Sequence, residues 1–249
     1  MALHPLAAEF DAVADVYERG RPEYAPAVVG AIMAEAGLRP GDPVLDLAAG
    51  TGKLSRALLA AGLDLVAVEP QAAMRAKLAA AIGAERARDG VAEAIPLDDG
   101  SVAAVTVADG FHWFDAPAAL AEVRRVLRPG GWLVTMSALQ HLHEAPWGTA
   151  LTELITRSRP SHPAFEGVAW QEVARQQGGW STPRDIRVIA PQPASPAQIV
   201  DYVASMSWVA ALAEPQRTAM LSEARRLVEE KPTPPELQVT VGLTLARPL

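Results

Sequence analysis

At 249 residues, half of them apolar, the chain is long enough to bury a sizeable core and reads as one α/β domain with additions. Its formal charge of -7 and the lack of a Lys/Arg run suited to neutralising phosphates make nucleic acid an unexpected partner. With no cysteine, disulfides, thiolate catalysis and zinc-thiolate sites are excluded, and the absence of an apolar leader or a membrane-length apolar run sets the expectation of a cytoplasmic protein without membrane association.

In chain order, residues 5–18 and 23–37 read as two helices separated by Gly20-Arg21-Pro22, with Gly37 as the C-terminal stop of the second. Short apolar runs at 43–49, 64–69, 102–109 and 132–137 read as buried parallel strands, with a weaker strand near 84–88. Between them, 53–61, 70–82 and 116–127 carry apolar residues at helical spacing. Arg124, Arg125 and Arg128, the densest basic group, suit the dipole at a helix end. This alternation predicts a Rossmann-like, doubly wound sheet whose ligands sit beyond the carboxyl ends of its strands, where Gly50, Glu69, Ala92 and Asp109 fall.

After residue 138 the pattern turns helical at 145–159, 166–178, 196–212 and 215–230, with only Arg187-Val188-Ile189 strand-like, and the region reads as a substrate cover. The Pro-rich break Lys231-Pro232-Thr233-Pro234-Pro235 leads into an alternating run at 237–245 that reads as a final strand.

Chemistry concentrates at Val44-Leu45-Asp46-Leu47-Ala48-Ala49-Gly50-Thr51-Gly52-Lys53-Leu54, where an apolar run ends in small residues just before a helix. Gly50 and Gly52 allow positive φ and close approach of a ligand to the backbone. Glu69 closes the next apolar run; it suits the two hydroxyls of a ribose, or else serves as a helix-start acid before Pro70. A dinucleotide fingerprint would need glycine where Ser55 stands, and a P-loop would need glycine at Leu47 and a hydroxyl residue at Leu54. What is left is a strand-end acid, a small-x-Gly-x-Gly turn and a second strand-end acid.

That pattern resembles the class I S-adenosylmethionine-dependent methyltransferases. The resemblance extends through Val91-Ala92-Glu93-Ala94-Ile95-Pro96-Leu97, similar to the family's adenine-side segment, and Glu122-Val123-Arg124-Arg125-Val126-Leu127-Arg128-Pro129-Gly130-Gly131-Trp132, similar to its helix, turn and fifth strand. The leader Tyr17-Glu18-Arg19-Gly20-Arg21-Pro22-Glu23-Tyr24 resembles a small-molecule subgroup that includes the trans-aconitate methyltransferase-like proteins.

The resemblance implies a seven-stranded, mostly parallel sheet with an antiparallel last strand. Within the single domain, 1–37 would form lid helices, 38–138 the cofactor core, 139–231 the helical cover and 232–249 the final strand. It further implies a cofactor site drawn from Tyr17, Arg21, Asp46, Ala48, Gly50, Gly52, Glu69, Pro70, Gln71, Met74, Ala92, Glu93 and Asp109. Two positions depart from the family. Ala48 replaces a loop glycine and fits the turn if its φ is negative, and Val91 stands where many members carry an aspartate toward the adenine.

Asp46 would orient the glycine loop or approach the methionyl amine, the bland reading being a carboxylate satisfied by loop amides. Met74 would pack against adenine or simply fill the core. Asp109 would bind the methionyl amine or end its strand. Phe111-His112-Trp113-Phe114 follows the fourth strand; its rings would wall the ligand or pack in the core, and His112 is the candidate general base. Tyr17 and Arg21 would meet the cofactor carboxylate or lie in solvent. His141 and His143, with Glu144, could begin a metal site, but no third ligand stands out and no metal is expected.

The expected activity is methyl transfer from S-adenosylmethionine to a small-molecule O, N or C nucleophile, a carboxylate among the candidates, releasing S-adenosylhomocysteine from a monomer or homodimer. The competing readings are a NAD(P)-dependent oxidoreductase and a catalytically silent cofactor-binding regulator.

Overall fold

A computed structural model of the protein describes residues 4–157 and 159–249. Its strands are β1 (Pro43–Leu47), β2 (Asp64–Val68), β3 (Ala87–Arg88), β4 (Val102–Ala108), β5 (Leu127–Gln140), β6 (Arg184–Pro193) and β7 (Glu236–Ala246). They form one sheet in the order β3-β2-β1-β4-β5-β7-β6, six strands parallel and the last, β7, antiparallel. β1 lies centrally, with Leu45 paired to Val66 of β2 and to Val105 of β4. The chain winds from β1 through β2 to β3 and then returns to the other side of β1 as β4. Strand order therefore reverses between β1 and β4, and the crevice at their carboxyl ends is where such sheets bind ligands.

The strands form where the sequence is continuously apolar because they are covered on both faces. Val44, Leu45, Leu65, Val68, Val105 and Val107 are all fully buried. The helices Lys53–Ala60, Ala72–Ile82 and Ala116–Val126 connect them.

By internal contacts the chain divides into two compact units. The first, here the glycine-loop unit, comprises Tyr24–Ala138, Pro163–Val188 and Val241–Leu249. Its core gathers Leu45, Leu47, Val105, Leu120 and Leu133 with Trp170 and Ala174 of the helix Trp170–Gln177. The Trp170 indole also donates to Thr135 Oγ1 at 3.1 Å.

The second, the helical unit, comprises the residues up to Glu23 with Leu139–His162 and Ile189–Thr240. Trp147, Leu151, Val203, Val209 and Ala224 centre its core, supplied mainly by the helices Gly148–Arg157, Pro196–Ala204, Ser207–Ala210 and Glu214–Glu230. Gly20 lies so close to this packing that a Cβ there would collide with the backbone of Asp201 and Tyr202.

Several elements differ from the expected ones. The helix expected over 5–18 is broken into Pro5–Ala8, a 3-10 turn at Asp11–Val13 and Ala14–Gly20, and the Phe10 ring meets Tyr17 edge-on at 5.8 Å. The next helix is Pro26–Ala36 and ends as expected on Gly37, at φ 65°. The expected helix 196–212 divides at Ser205, whose hydroxyl donates to the Tyr202 carbonyl at 2.7 Å. The region 166–178 is two helices, Pro163–Glu166 and Trp170–Gln177. The helix expected over 145–159 is Gly148–Arg157, position 158 lying outside the described residues. β6 runs ten residues where only three looked strand-like. It is the edge strand, where missing amide donors are tolerated, and so it accommodates Pro191 and Pro193.

Candidate active site

β1 ends in a turn that its sequence builds from small residues. Ala48, Gly50 and Gly52 have φ of 55°, 58° and 89°, all in the left-handed region. The turn is pinned to β2 by the Ala49 amide, which donates to the Val68 carbonyl at 3.1 Å, and it closes with Gly52 N donating to Ala49 O at 3.0 Å. Gly52 is constrained twice, since a Cβ there would also come within 2.8 Å of Leu78 Cδ1 on the helix Ala72–Ile82. The positive φ of Ala48 corrects the expectation of a negative one. An L-residue in this conformation is strained by about 1–2 kcal/mol, and the turn geometry imposes it regardless. The side chain is accommodated opposite Gly110, where an added Cβ would lie 3.2 Å from that of Ala48.

Two buried carboxylates flank this turn. Asp46, 1% exposed, accepts from Ser55 Oγ at 2.6 Å and from Thr106 Oγ1 at 3.2 Å. Neither partner is a loop amide. Burial pushes its pKa up to about 7, against the opposing pull of the Ser55 and Thr106 hydroxyls and with a further push from the charge of Glu69. Ser55 thus holds the carboxylate at the position where a dinucleotide fold would need glycine, a role not visible from spacing.

Glu69, 5% exposed, accepts from Gly50 N at 2.8 Å through Oε2 and from Gln71 N at 3.0 Å through Oε1. It therefore ties the glycine turn to the start of the helix Ala72–Ile82. Arg75 fixes the same corner, donating to the carbonyls of Glu69 at 2.7 Å and Pro70 at 2.8 Å. Met74 is buried one turn into that helix.

Two further groups at the turn escaped sequence reasoning. Thr51 is 1% exposed and its Oγ1 is buried without a hydrogen-bond partner. Lys53 is buried at the first position of the following helix.

Past β3, Ala92 is buried, and Glu93 Oε1 accepts from Asp115 N at 2.8 Å, linking this segment to the start of the helix Ala116–Val126. Past β4, Asp109 is the second non-glycine residue with positive φ, at 50°. Its carboxylate accepts from Ala138 N at 3.3 Å and from the Tyr24 hydroxyl at 3.4 Å, another partner that sequence reasoning missed. The strained Ala48 and Asp109 thus sit at the ends of adjacent strands, on either side of the reversal in strand order, and strain of this kind clusters at ligand sites.

In the turn Phe111–Trp113, Phe111 packs into the core against Phe114 and Trp170, at 5.2 and 5.6 Å between ring centroids. His112 and Trp113 stay half-buried, their rings 4.6 Å apart. Tyr17 and Arg21 belong to the helical unit. There the Arg21 guanidinium lies 5.1 Å from each of the Tyr17 and Tyr202 ring centroids and donates to Ser205 Oγ at 2.8 Å.

A glycine turn at the switch point of a 3-2-1-4-5-7-6 sheet, flanked by two strand-end acids, defines a nucleoside-cofactor protein of the Rossmann-like class. Residues 45–135 match the methyltransferase domain family. Over 244 residues, 96% of this chain and 92% of the relative, the sequence is 38% identical to an uncharacterized methyltransferase of Mycobacterium tuberculosis. A demethylmenaquinone methyltransferase of Renibacterium salmoninarum is 36% identical over 63% of this chain and 65% of its own. Among solved structures, a protein described as a type II methyltransferase, from Anaeromyxobacter dehalogenans, superposes with a TM-score of 0.63 at 25% identity, covering 92% of this chain and 97% of that one. The chain belongs to the class I S-adenosylmethionine-dependent methyltransferases. Among the described residues no helix is long and apolar enough to cross a membrane.

Proposed function

We propose that the protein transfers a methyl group from S-adenosylmethionine to a small-molecule nucleophile by in-line displacement, in a site at the carboxyl ends of β1, β2 and β4. The observation that most supports this is the conjunction at the glycine turn. Backbone held open by Gly50 and Gly52, two buried acids and the orphaned Thr51 hydroxyl occur within one corner of the sheet. A nucleoside carrying a charged aminoacyl tail fits these groups. Glu69 brings a strand-end carboxylate to the ribose hydroxyls, Thr51 Oγ1 lacks a polar partner, and Met74 and Ala92 offer apolar surface to a base beside Pro70, Gln71 and Glu93. Asp46 and Asp109 bring carboxyl oxygens to the tail's ammonium group.

Bound S-adenosylmethionine supplies a methyl group already activated by its sulfonium. The chain's own residues then have to align the acceptor, exclude water and, for a hydroxyl or ammonium acceptor, remove a proton. Alignment alone can supply about 7–11 kcal/mol of barrier reduction. His112, half-buried after β4, is the proposed proton acceptor; a carboxylate nucleophile would leave it idle. A relative named as a demethylmenaquinone methyltransferase supports including a demethylmenaquinone in the acceptor panel, beside carboxylates, hydroxyls and amines.

The test has two arms. S-adenosylhomocysteine should raise the melting temperature, since a ligand at 100 times its dissociation constant adds about 2.7 kcal/mol to the folded state, and NAD(P) should not. An unchanged melting curve in excess S-adenosylhomocysteine would overturn the cofactor assignment. With an acceptor found by panel, His112→Ala should lower turnover about 100-fold and leave S-adenosylhomocysteine affinity intact. A parallel fall in both would instead make His112 part of the ligand wall.

A further inference from the structure

The helical unit carries a cluster of ligating side chains that the methyl-transfer reading does not use. Sequence alone shows His141 and His143 two positions apart with Glu144 next to them, and does not show whether the three converge. The 3-10 turn Leu142–Glu144 brings them together by folding Glu144 back on His141, its Oε1 lying 3.0 Å from His141 Nδ1. The two imidazole rings are 5.5 Å apart between centroids, and one ligand atom from each of the three residues lies within 4.8 Å of the others. In a tetrahedral zinc site such atoms are about 3.3 Å apart. His143 and Glu144 are exposed, which leaves their side chains room to rotate toward that spacing.

The scaffold beneath the cluster is fixed. Leu142, Ala145 and Trp147 are buried, His141 N donates to Gln238 O at 2.8 Å, and Glu144 N donates to His141 O at 3.1 Å. Gly148 completes the tight turn, because a Cβ there would collide with the Leu142 carbonyl.

His141 also has the outer support that metal-bound imidazoles use. Its Nε2 lies 2.9 Å from Thr240 Oγ1, so a proton on Nε2 donated to that hydroxyl leaves the Nδ1 lone pair facing Glu144. A simple ion pair would account for His141, Glu144 and the Thr240 contact, but not for the second imidazole beside them.

We propose that His141, His143 and Glu144 form a binding site for a divalent transition cation of the zinc class, with its fourth position open to water or an anion. Two imidazoles and a carboxylate, in a chain without thiolates, suit this class rather than a soft monovalent metal.

The experiment uses the full chain, tag-free and stripped with chelator. It is titrated with Zn2+ against a chromophoric competitor and, separately, with Co2+ followed by visible absorption. One equivalent should bind, Co2+ should give the intense d–d bands of four-coordinate geometry, and Zn2+ should raise the melting temperature. His143→Ala and Glu144→Gln, both at exposed positions, should each weaken binding more than about 100-fold. Thr240→Val should weaken it about 10–100-fold at unchanged stoichiometry, the usual scale for an outer-shell partner. No saturable uptake at stoichiometric zinc, a weak six-coordinate cobalt spectrum, or affinity indifferent to His143→Ala and Glu144→Gln would each overturn the site.

Discussion

The two compact units bury different kinds of residue. In the glycine-loop unit Asp46, Lys53 and Glu69 are each at most 6% exposed, alongside Thr51, Ser55, Thr106 and Thr135. The buried polar groups of the helical unit are His162, Ser205 and Ser207, with no carboxylate or ammonium among the described residues. Backbone strain divides the same way, since both non-glycine residues with positive φ among the described residues, Ala48 and Asp109, belong to the glycine-loop unit. Buried charge and left-handed backbone both lower stability, and folds keep them where a ligand or a reaction uses them. The helical unit is held by apolar packing around Trp147, Leu151 and Val209, while the glycine-loop unit carries the buried charge and strain that the proposed site would use.

The contrast is broken most directly by Gly50→Val. A β-branched residue is a steric outlier at the φ of 58° that Gly50 holds, so the turn should fail while both cores persist. The expected result is a loss of S-adenosylhomocysteine affinity of more than about 100-fold, or roughly 2.8 kcal/mol, with a native circular dichroism spectrum. Normal binding by a folded variant would show that the strained turn does not serve the ligand.

Asp46→Asn asks whether buried charge really weakens this unit. The carboxyl titrates near 3.8 when unfolded and at about 7 when folded, so the folded state holds a proton that the unfolded state releases. Its stabilising contribution is fully present below the unfolded value and is lost as pH rises toward the folded one. Relative to Asp46→Asn, the wild-type protein should therefore lose on the order of 3 kcal/mol between about pH 4 and pH 7 and change little above that. Urea melts across this range decide it, and parallel stability profiles would mean that Asp46 is ionised in the folded state.

How much of this was legible in the sequence follows from the same division. β1, β2 and β4 are covered on both faces, so they appear as continuous apolar runs, and their ligand-side ends are marked by glycines and acids. The partners of those acids were not legible, because they arrive from elsewhere in the chain. Thr106 reaches Asp46 from the neighbouring strand, Tyr24 reaches Asp109 across 85 positions, and Ser55 looked only like a missing glycine. β6 stayed largely hidden because an edge strand alternates burial and admits proline and charge. In the helical unit, amphipathic spacing announced helices without chemistry. His141, His143 and Glu144 stood together in the sequence, and the turn that returns Glu144 to His141 shows that their ligand atoms converge.

A smaller effect separates the two duties of Glu69. Its oxygens hold the amides of Gly50 and Gln71, so Glu69→Ala removes both the proposed ribose acceptor and the tether of the turn. S-adenosylhomocysteine affinity should fall tenfold or more, as hydrogen bonds to a charged acceptor are worth about 1.5–3 kcal/mol. Glu69→Gln keeps one oxygen acceptor and should recover part of the turn's order but little of the affinity. Calorimetry that finds wild-type affinity in Glu69→Ala would reduce Glu69 to a helix-start residue.

The smallest expected effect bears on whether the strain at the switch point is required or merely tolerated. Ala48 holds φ 55°, and glycine at that position removes the Cβ penalty while adding freedom to the unfolded chain. The two effects oppose, and Ala48→Gly should raise stability by about 0.5–1 kcal/mol. Gly110→Ala should act the other way, since its new Cβ would lie 3.2 Å from that of Ala48 and 3.4 Å from Val107 Cγ1. If the two positions are fitted to each other, Gly110→Ala will be less harmful in the Ala48→Gly background, with a coupling of at least about 0.5 kcal/mol in the double-mutant cycle. Additive effects would mean that Gly110 answers to Val107 and the backbone alone. A loss of S-adenosylhomocysteine affinity in the stabilised Ala48→Gly variant would show that the strained alanine presets the turn for its ligand, which is the sharpest form of the contrast between the two units.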